Sequence, residues 1–300
     1  MTSTVDVAEL VRTRVRHPEA ITEAAARRGR RRELVGPSGR LMVIAADHPA
    51  RGALGVGKDP LAMADRADLL ARLCLALSRP GVDGVLATAD IVEDLLLLGA
   101  LEDKVVMGSM NRGGLAGAAF ELDDRFTGYR PEDLDRLGFD AGKLLLRVDY
   151  DDPGSLTTLE ATARAVDAMA ERGLPVFVEP FLSRRQDGVL RNDLSAEAVT
   201  RSIAIASGLG GTSAYTWLKV PVTENPDDMA RVMETSTLPA VLLGGDIDAD
   251  AGGKGADAAY EKWRGALRLP TVQGLVAGRT LLYPADGDVA GAVDTAVGLL

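Results

Sequence analysis

The chain predicts an α/β protein, a single (β/α)₈ barrel, on three observations. Eight short apolar runs of strand length each precede a segment patterned as a helix, from residue 41 to residue 298. No linker, low-complexity stretch or internal repeat interrupts the series. Several of the runs end in charged or glycine-bearing loops, as barrel strands do at the face that carries chemistry. Apolar strands alternating with helices indicate a parallel sheet covered on both sides. A doubly wound open sheet is the alternative topology.

In chain order, residues 5–33 read as one amphipathic helix ending in the basic run Arg27–Arg32, within a helical extension over 1–38. Basic residues at a helix C-terminus complement its dipole, so the run reads as a solvated face. The first strand, Leu41–Ala46, closes on Asp47–His48–Pro49, and a glycine-rich loop leads to a helix over 60–79. Gly84–Ala87 precedes a helix over 90–99, and Lys104–Gly108 precedes a long loop through Asn111–Gly114. Leu144–Tyr150 leads to a helix over 155–172; Pro175–Pro180 leads through a polar loop, Ser183–Asn192, to a helix over 195–207. Thr216–Val220, Ala240–Gly244 and Val272–Ala277 precede helices over 226–235, 256–267 and 288–298.

Composition excludes several classes. The formal net charge is −10, with no basic footprint for nucleic acid. The one cysteine, Cys74, lies in the apolar run Leu69–Leu77 and has no partner for a disulfide, which fits a reducing compartment. No apolar run reaches membrane-spanning length and the N-terminus has no hydrophobic signal core, so a soluble cytoplasmic protein is expected. With only His17 and His48, a histidine-built zinc site is not expected, nor any other cofactor. Gly52–Lys58 opens like a nucleotide-binding loop, but Asp59 stands where Ser or Thr would hold Mg²⁺. Asp246–Asp250 opens like a calcium loop, but Ala251 replaces the glycine of its sharp turn.

The strand ends carry the candidate site. They hold Asp47 after the first strand, Arg147 and Asp149 on the fourth, Glu179 on the fifth and Lys219 on the sixth. Gly244, Gly245 and Asp246 follow the seventh strand, and Gly278 and Arg279 the eighth. Period-two alternation puts Arg147 and Asp149 on one face of their strand, and Lys219 opposite Leu218 and Val220. A charged face repeated on three neighbouring parallel strands points into a barrel mouth. A structural ion-pair network, such as Asp47–Lys219 or Arg147–Glu179, would give the same pattern.

Of the six lysines, Lys58, Lys143, Lys254 and Lys262 sit beside glycines or in polar segments, and Lys104 opens its strand at the far end. Lys219 alone combines an apolar strand with a position near the mouth, where burial would leave the amine neutral and able to attack a carbonyl. Glu179, in a partly apolar pocket, is expected to have the raised pKa of a proton shuttle. Glycines in the last two loops, with Arg279, suit a phosphate.

These motifs resemble the class I, Schiff-base aldolases of the DeoC/LacD/DhnA group, over about residues 41–283. Asp47-His48-Pro49-Ala50-Arg51-Gly52-Ala53-Leu54 is similar to the first-strand motif of tagatose-bisphosphate aldolases, with two more residues. Val178-Glu179-Pro180 and Leu218-Lys219-Val220 resemble the strands carrying the glutamate and the imine-forming lysine; Leu243-Gly244-Gly245 and Ala277-Gly278-Arg279 resemble the phosphate ends. The resemblance implies a (β/α)₈ barrel in which Lys219 forms the imine, Glu179 moves protons, Asp47 assists near the imine and Arg147 replaces a strand-four cation. Gly244, Gly245, Gly278, Arg279 and Asp149 would bind the substrate and its phosphate. The implied activity is metal-independent cleavage of a phosphorylated ketose or deoxy-keto sugar acid. Transaldol transfer or dehydration through the same imine, and a catalytically silent sugar-phosphate-binding barrel, are the alternatives. The expected partner is a phosphorylated sugar, with neither nucleic acid nor membrane; a homo-oligomer stays open.

Overall fold

The computed structural model describes residues 5–31, 33–36, 38–111, 114–223, 225–244 and 253–300. It begins with two helices where the sequence predicts one. α1 (Val7–Arg16) is capped by Asp6, whose carboxylate accepts from the Glu9 N–H, and α2 (Ala20–Arg27) follows. The break falls at His17–Pro18, because proline has no backbone N–H and disfavours helical geometry in the residue before it. Nor is the whole basic run a solvated face. Arg28 is buried, donates to the carbonyls of Lys104 and Gly138, and pairs with Asp140. It fastens α2 to the N-terminal rim of the sheet.

β1 (Leu41–Ala46) leads through a 3₁₀ turn at Pro49–Arg51 to α3 (Arg66–Ser78). β2 (Gly84–Ala87) is followed by α4 (Ala89–Leu97), β3 (Val105–Ser109) by α5 (Pro131–Leu137), and β4 (Ala141–Val148) by α6 (Gly154–Ala170). β5 (Val176–Gln186) turns back as a hairpin with β6 (Val189–Asn192) before α7 (Ala196–Ser207). β7 (Thr216–Val220) and α8 (Pro226–Met233), then β8 (Ala240–Leu243) and α9 (Gly253–Ala266), continue the alternation. β9 (Val272–Ala277), α10 (Arg279–Leu282) and α11 (Val289–Val297) complete it.

Eight strands pair in parallel in the order β4-β3-β2-β1-β9-β8-β7-β5, and β5 closes the ring onto β4. Closure excludes the open doubly wound sheet and makes the fold a (β/α)₈ barrel. Three local expectations need correction. The stretch read as a polar loop, Ser183–Asn192, is an antiparallel hairpin. A helix, α5, stands in the segment read as a continuous loop. β4 begins at Ala141, three residues before its apolar run does. The nucleotide-loop look-alike ending at Lys58 stays in turns, and α3 starts only at Arg66, so no helix N-terminus meets it.

Alternation divides the core in two. Leu41, Val43 and Ala45 of β1 join Ala141, Phe177, Val241 and Val276 inside the barrel. Met42, Ile44 and Ala46, with Leu144, Leu146 and Val148 of β4, pack outward against the helices. No described helix is long and apolar enough to cross a membrane.

Candidate active site

The same alternation raises charge above the apolar plug. Asp47 continues the inward series of β1, Lys143 follows Ala141 on β4, Glu179 follows Phe177 on β5, and Lys219 follows Trp217 on β7. All four are nearly inaccessible, at 9%, 4%, 8% and 4% exposure. Charges this deep persist only when paired, and these four form one chain. Lys143 Nζ lies 2.8 Å from Asp47 Oδ2 and 2.6 Å from Glu179 Oε2. Glu179 Oε1 accepts from Lys219 Nζ at 2.6 Å. Glu179 therefore bridges two lysines, whereas Lys143 bridges two carboxylates.

That order sets the protonation states. Burial opposes charge on Lys143, but Asp47 and Glu179 outweigh it and hold its ammonium above the ordinary range. Burial also opposes charge on Lys219. Glu179 compensates in part, the Lys143 ammonium repels, and the net shift is downward. Burial would raise Glu179, yet Lys143 and Lys219 overcome it and leave the carboxyl at about 2. The expectation of a raised Glu179 is thus reversed, because the pocket is cationic where apolar walls were anticipated. Asp47 is likewise held low, burial being outweighed by Lys143, His48 and Lys219. His48 is lowered to about 4 by burial, with Asp47 opposing, so its imidazole is neutral near pH 7.

Lys143 is the member of the buried charge cluster that the sequence reading missed. Its neighbour Gly142 and its place before the apolar run suggested a solvated segment. The usable signal was the alternation itself, since Lys143, Leu145 and Arg147 form one inward series.

Arg147 does not pair with Glu179; its Nη1 donates to Glu121 Oε1 at 2.7 Å. The strand-four cation beside Glu179 is Lys143. Asp149 is buried, and its two carboxylate oxygens accept from the backbone N–H groups of Asp151 and Arg185, at 3.1 and 3.3 Å. It ties the loop after β4 to β5.

Across the mouth, Gly244 follows β8, and its carbonyl lies 3.4 Å from Thr280 Oγ1. Gly278 must be glycine, since a Cβ there would stand 2.2 Å from the Ala45 carbonyl oxygen. Arg279 opens α10 and reaches the Gly55 carbonyl at 3.4 Å. Gly245 and Asp246–Asp250 lie outside the described residues. Among the described residues, no three or more His, Cys, Asp or Glu side chains gather in a metal-holding arrangement.

The Cgl0159-like family model matches residues 39–297. The crystal structure of Cgl0159 from Corynebacterium glutamicum (Brevibacterium flavum) is similar with 53% identity and a TM-score of 0.92, over 97% of this chain and 95% of that one. A Schiff-base-forming fructose-1,6-bisphosphate aldolase shares the fold at 19% identity and a TM-score of 0.63, over 93% of this chain and 99% of that one. So does an archaeal fructose-1,6-bisphosphate aldolase whose catalytic lysine is covalently bound to the carbinolamine intermediate of its substrate, at 19% identity and a TM-score of 0.63, over 93% and 100% of the two chains. No curated protein sequence matches the chain.

Proposed function

The chain belongs to the Cgl0159-like family, and we propose that its barrel is a metal-independent aldolase that cleaves a phosphorylated ketose or deoxy-keto sugar acid through an imine on Lys219. One observation carries this reading. Two buried lysines share the Glu179 carboxylate, and their environments push their amines in opposite directions. Groups whose surroundings separate their pKa values take separate roles. The fold likeness to Schiff-base aldolases is in keeping with it.

Lys219 is the nucleophile. Glu179, 2.6 Å away, takes the ammonium proton and frees the amine to attack the substrate carbonyl. The protonated Glu179 then supplies the proton with which the carbinolamine hydroxyl leaves as water. The iminium accepts the electron pair of the breaking carbon–carbon bond and becomes an enamine. A carboxylate, Asp47 or Glu179, takes the proton from the hydroxyl that becomes the departing aldehyde. Protonation of the enamine and addition of water return the amine. Lys143 stays an ammonium throughout; it keeps both carboxylates charged in the resting site and favours return of the proton that Glu179 takes up. Gly244, Gly278 and Arg279 anchor the phosphate, so that its binding energy positions the bond that breaks.

Borohydride reduction in the presence of phosphorylated keto sugars, followed by peptide mass spectrometry, tests the reading. The expected adduct sits on the peptide carrying Lys219. Turnover of a sugar phosphate with no reducible adduct would overturn it.

A further inference from the structure

Above the lysine layer stands a second charge centre that the chemistry just described does not use. β4 turns Lys143, Leu145 and Arg147 inward, which puts Arg147 four residues, about 13 Å of strand, beyond Lys143 toward the mouth. Its side chain is 5% exposed. Nη1 is engaged by Glu121, while Nη2 is buried without a hydrogen-bond partner among the described residues. Glu121 comes from the loop after β3 and is itself buried; its Oε2 accepts from the Gly117 N–H at 3.1 Å. The same loop touches the turn after β1, where the Ala116 N–H donates to the Arg51 carbonyl at 2.9 Å. Burial and the nearby charge of Arg51 outweigh Glu121 and Asp124 and press the Arg147 guanidinium below its ordinary pKa. A guanidinium in that state, with an N–H to spare, is short of negative charge.

Position points to the ligand. In the eight-strand ring β4 and β9 are four strands apart in either direction, so Arg147 and Arg279 stand on opposite sides of the mouth with the lysine layer below them. The planar fork of a guanidinium suits a carboxylate or phosphate, and Glu121 already presents that shape.

We propose that Arg147 receives an oxyanion at the far end of the substrate, a carboxylate or a phosphate, and that Glu121 is its internal stand-in, displaced when the oxyanion arrives. That the oxyanion belongs to a substrate rests on the aldolase reading; the exchange between it and Glu121 does not. Arg147 becomes a specificity-determining residue, and the loop over 114–123 opens by exchange of one carboxylate for another anion.

The test is made in the full chain carrying Arg279→Ala, to silence the opposite side. Inorganic phosphate and acetate are titrated separately by calorimetry. Glu121→Gln removes the competing charge at constant size, and at least one of the two anions is expected to bind about tenfold tighter in it. Adding Arg147→Met should abolish that gain. A gain with phosphate alone or acetate alone identifies the class of oxyanion. Should neither anion gain affinity in Glu121→Gln, or should the gain survive Arg147→Met, the proposal is overturned. A measurement without the arginine variant guards against its failing to fold. Hydrogen exchange of the Gly117 amide, which Glu121 holds, should quicken severalfold at saturating anion and revert on dialysis. An amide equally protected with and without anion would overturn the proposal on its own.

Discussion

β4 and β7 each lift one lysine into the same buried cluster, yet they produce two different chemical groups. On β4, Lys143 lies between Asp47 and Glu179 and is surrounded by negative charge. On β7, Lys219 has Glu179 as its only ion-pair partner among the described residues and also faces the ammonium of Lys143. Burial is nearly the same for both, at 4% exposure. Desolvation therefore does not tell them apart; the count and sign of neighbouring charges does. The Lys143 ammonium acts on Lys219 as a fixed positive charge that favours the neutral amine.

The sharpest way to break this comparison is to remove the amine of β7. Lys219→Arg keeps a cation of similar length but cannot form an imine. We expect loss of turnover by ~10⁴-fold or more, the scale of removing a covalent nucleophile, with the reducible adduct gone and the circular dichroism unchanged. Retained activity, or an adduct on the Lys143 peptide, would invert the roles of the two strands.

Removing the other lysine sharpens it. Lys143→Met leaves Asp47 without its ion-paired lysine and Glu179 with one cation in place of two. Breaking such buried pairs costs about 3–5 kcal/mol of stability, and kcat is expected to fall about 10²–10³-fold. The residual activity carries the diagnostic. Without the repelling ammonium the Lys219 pKa rises, so the acid limb of the kcat/KM profile should move to higher pH. A limb that stays in place would mean that Lys143 does not act on Lys219.

Acid probes the shared carboxylate. Glu179 sits at about 2 against an ordinary 4.5, so its contribution to stability is present above pH 4.5 and is lost as pH falls through its folded value. The loss is on the order of 3 kcal/mol, and Asp47 adds to it in the same direction. Denaturant unfolding at pH 6 and pH 3 should show the greater part of it, about 2 kcal/mol, in the wild type and much less in Lys143→Met. Equal losses in both proteins would show that Lys143 is not what holds the carboxylates low.

The smallest effect is expected where neither lysine is touched. Arg279→Ala should raise KM for a phosphorylated substrate about 10–100-fold, the worth of a charge-assisted contact. An unphosphorylated analogue should be little affected, and the acid limb should not move. Equal losses for the two substrates would make Arg279 a structural residue.

Much of the barrel was legible because its strands are apolar on both faces, and the outer face reads as an unbroken signal. Lys219 stood out because Leu218 and Val220 flank it. Asp47 and Glu179 stood out as polar residues closing apolar runs. Lys143 was hidden by the opposite circumstance: Gly142 and the absence of an apolar run before it concealed a strand that starts at Ala141. Its inward direction comes from pairing, with Lys143 in register with Ser109 of β3 and Phe177 of β5. The helix break at Pro18 is legible in the chain, because proline carries no backbone N–H, even though the apolar periodicity runs on across it.

The sequence by itself determined which residues could be buried and with what spacing, and so the fold class and the strand ends that hold the site. Only the tertiary structure decided who pairs with whom. Lys143 meets Asp47 across 96 positions of chain and Arg147 meets Glu121 across 26. Nothing local encodes such distances, because they follow from ring closure and strand register. Protonation follows pairing, since a buried group takes the charge its neighbours stabilise. That is why Lys219 could be singled out from the sequence, whereas the direction of the Glu179 shift and the pairing of Lys143 could not.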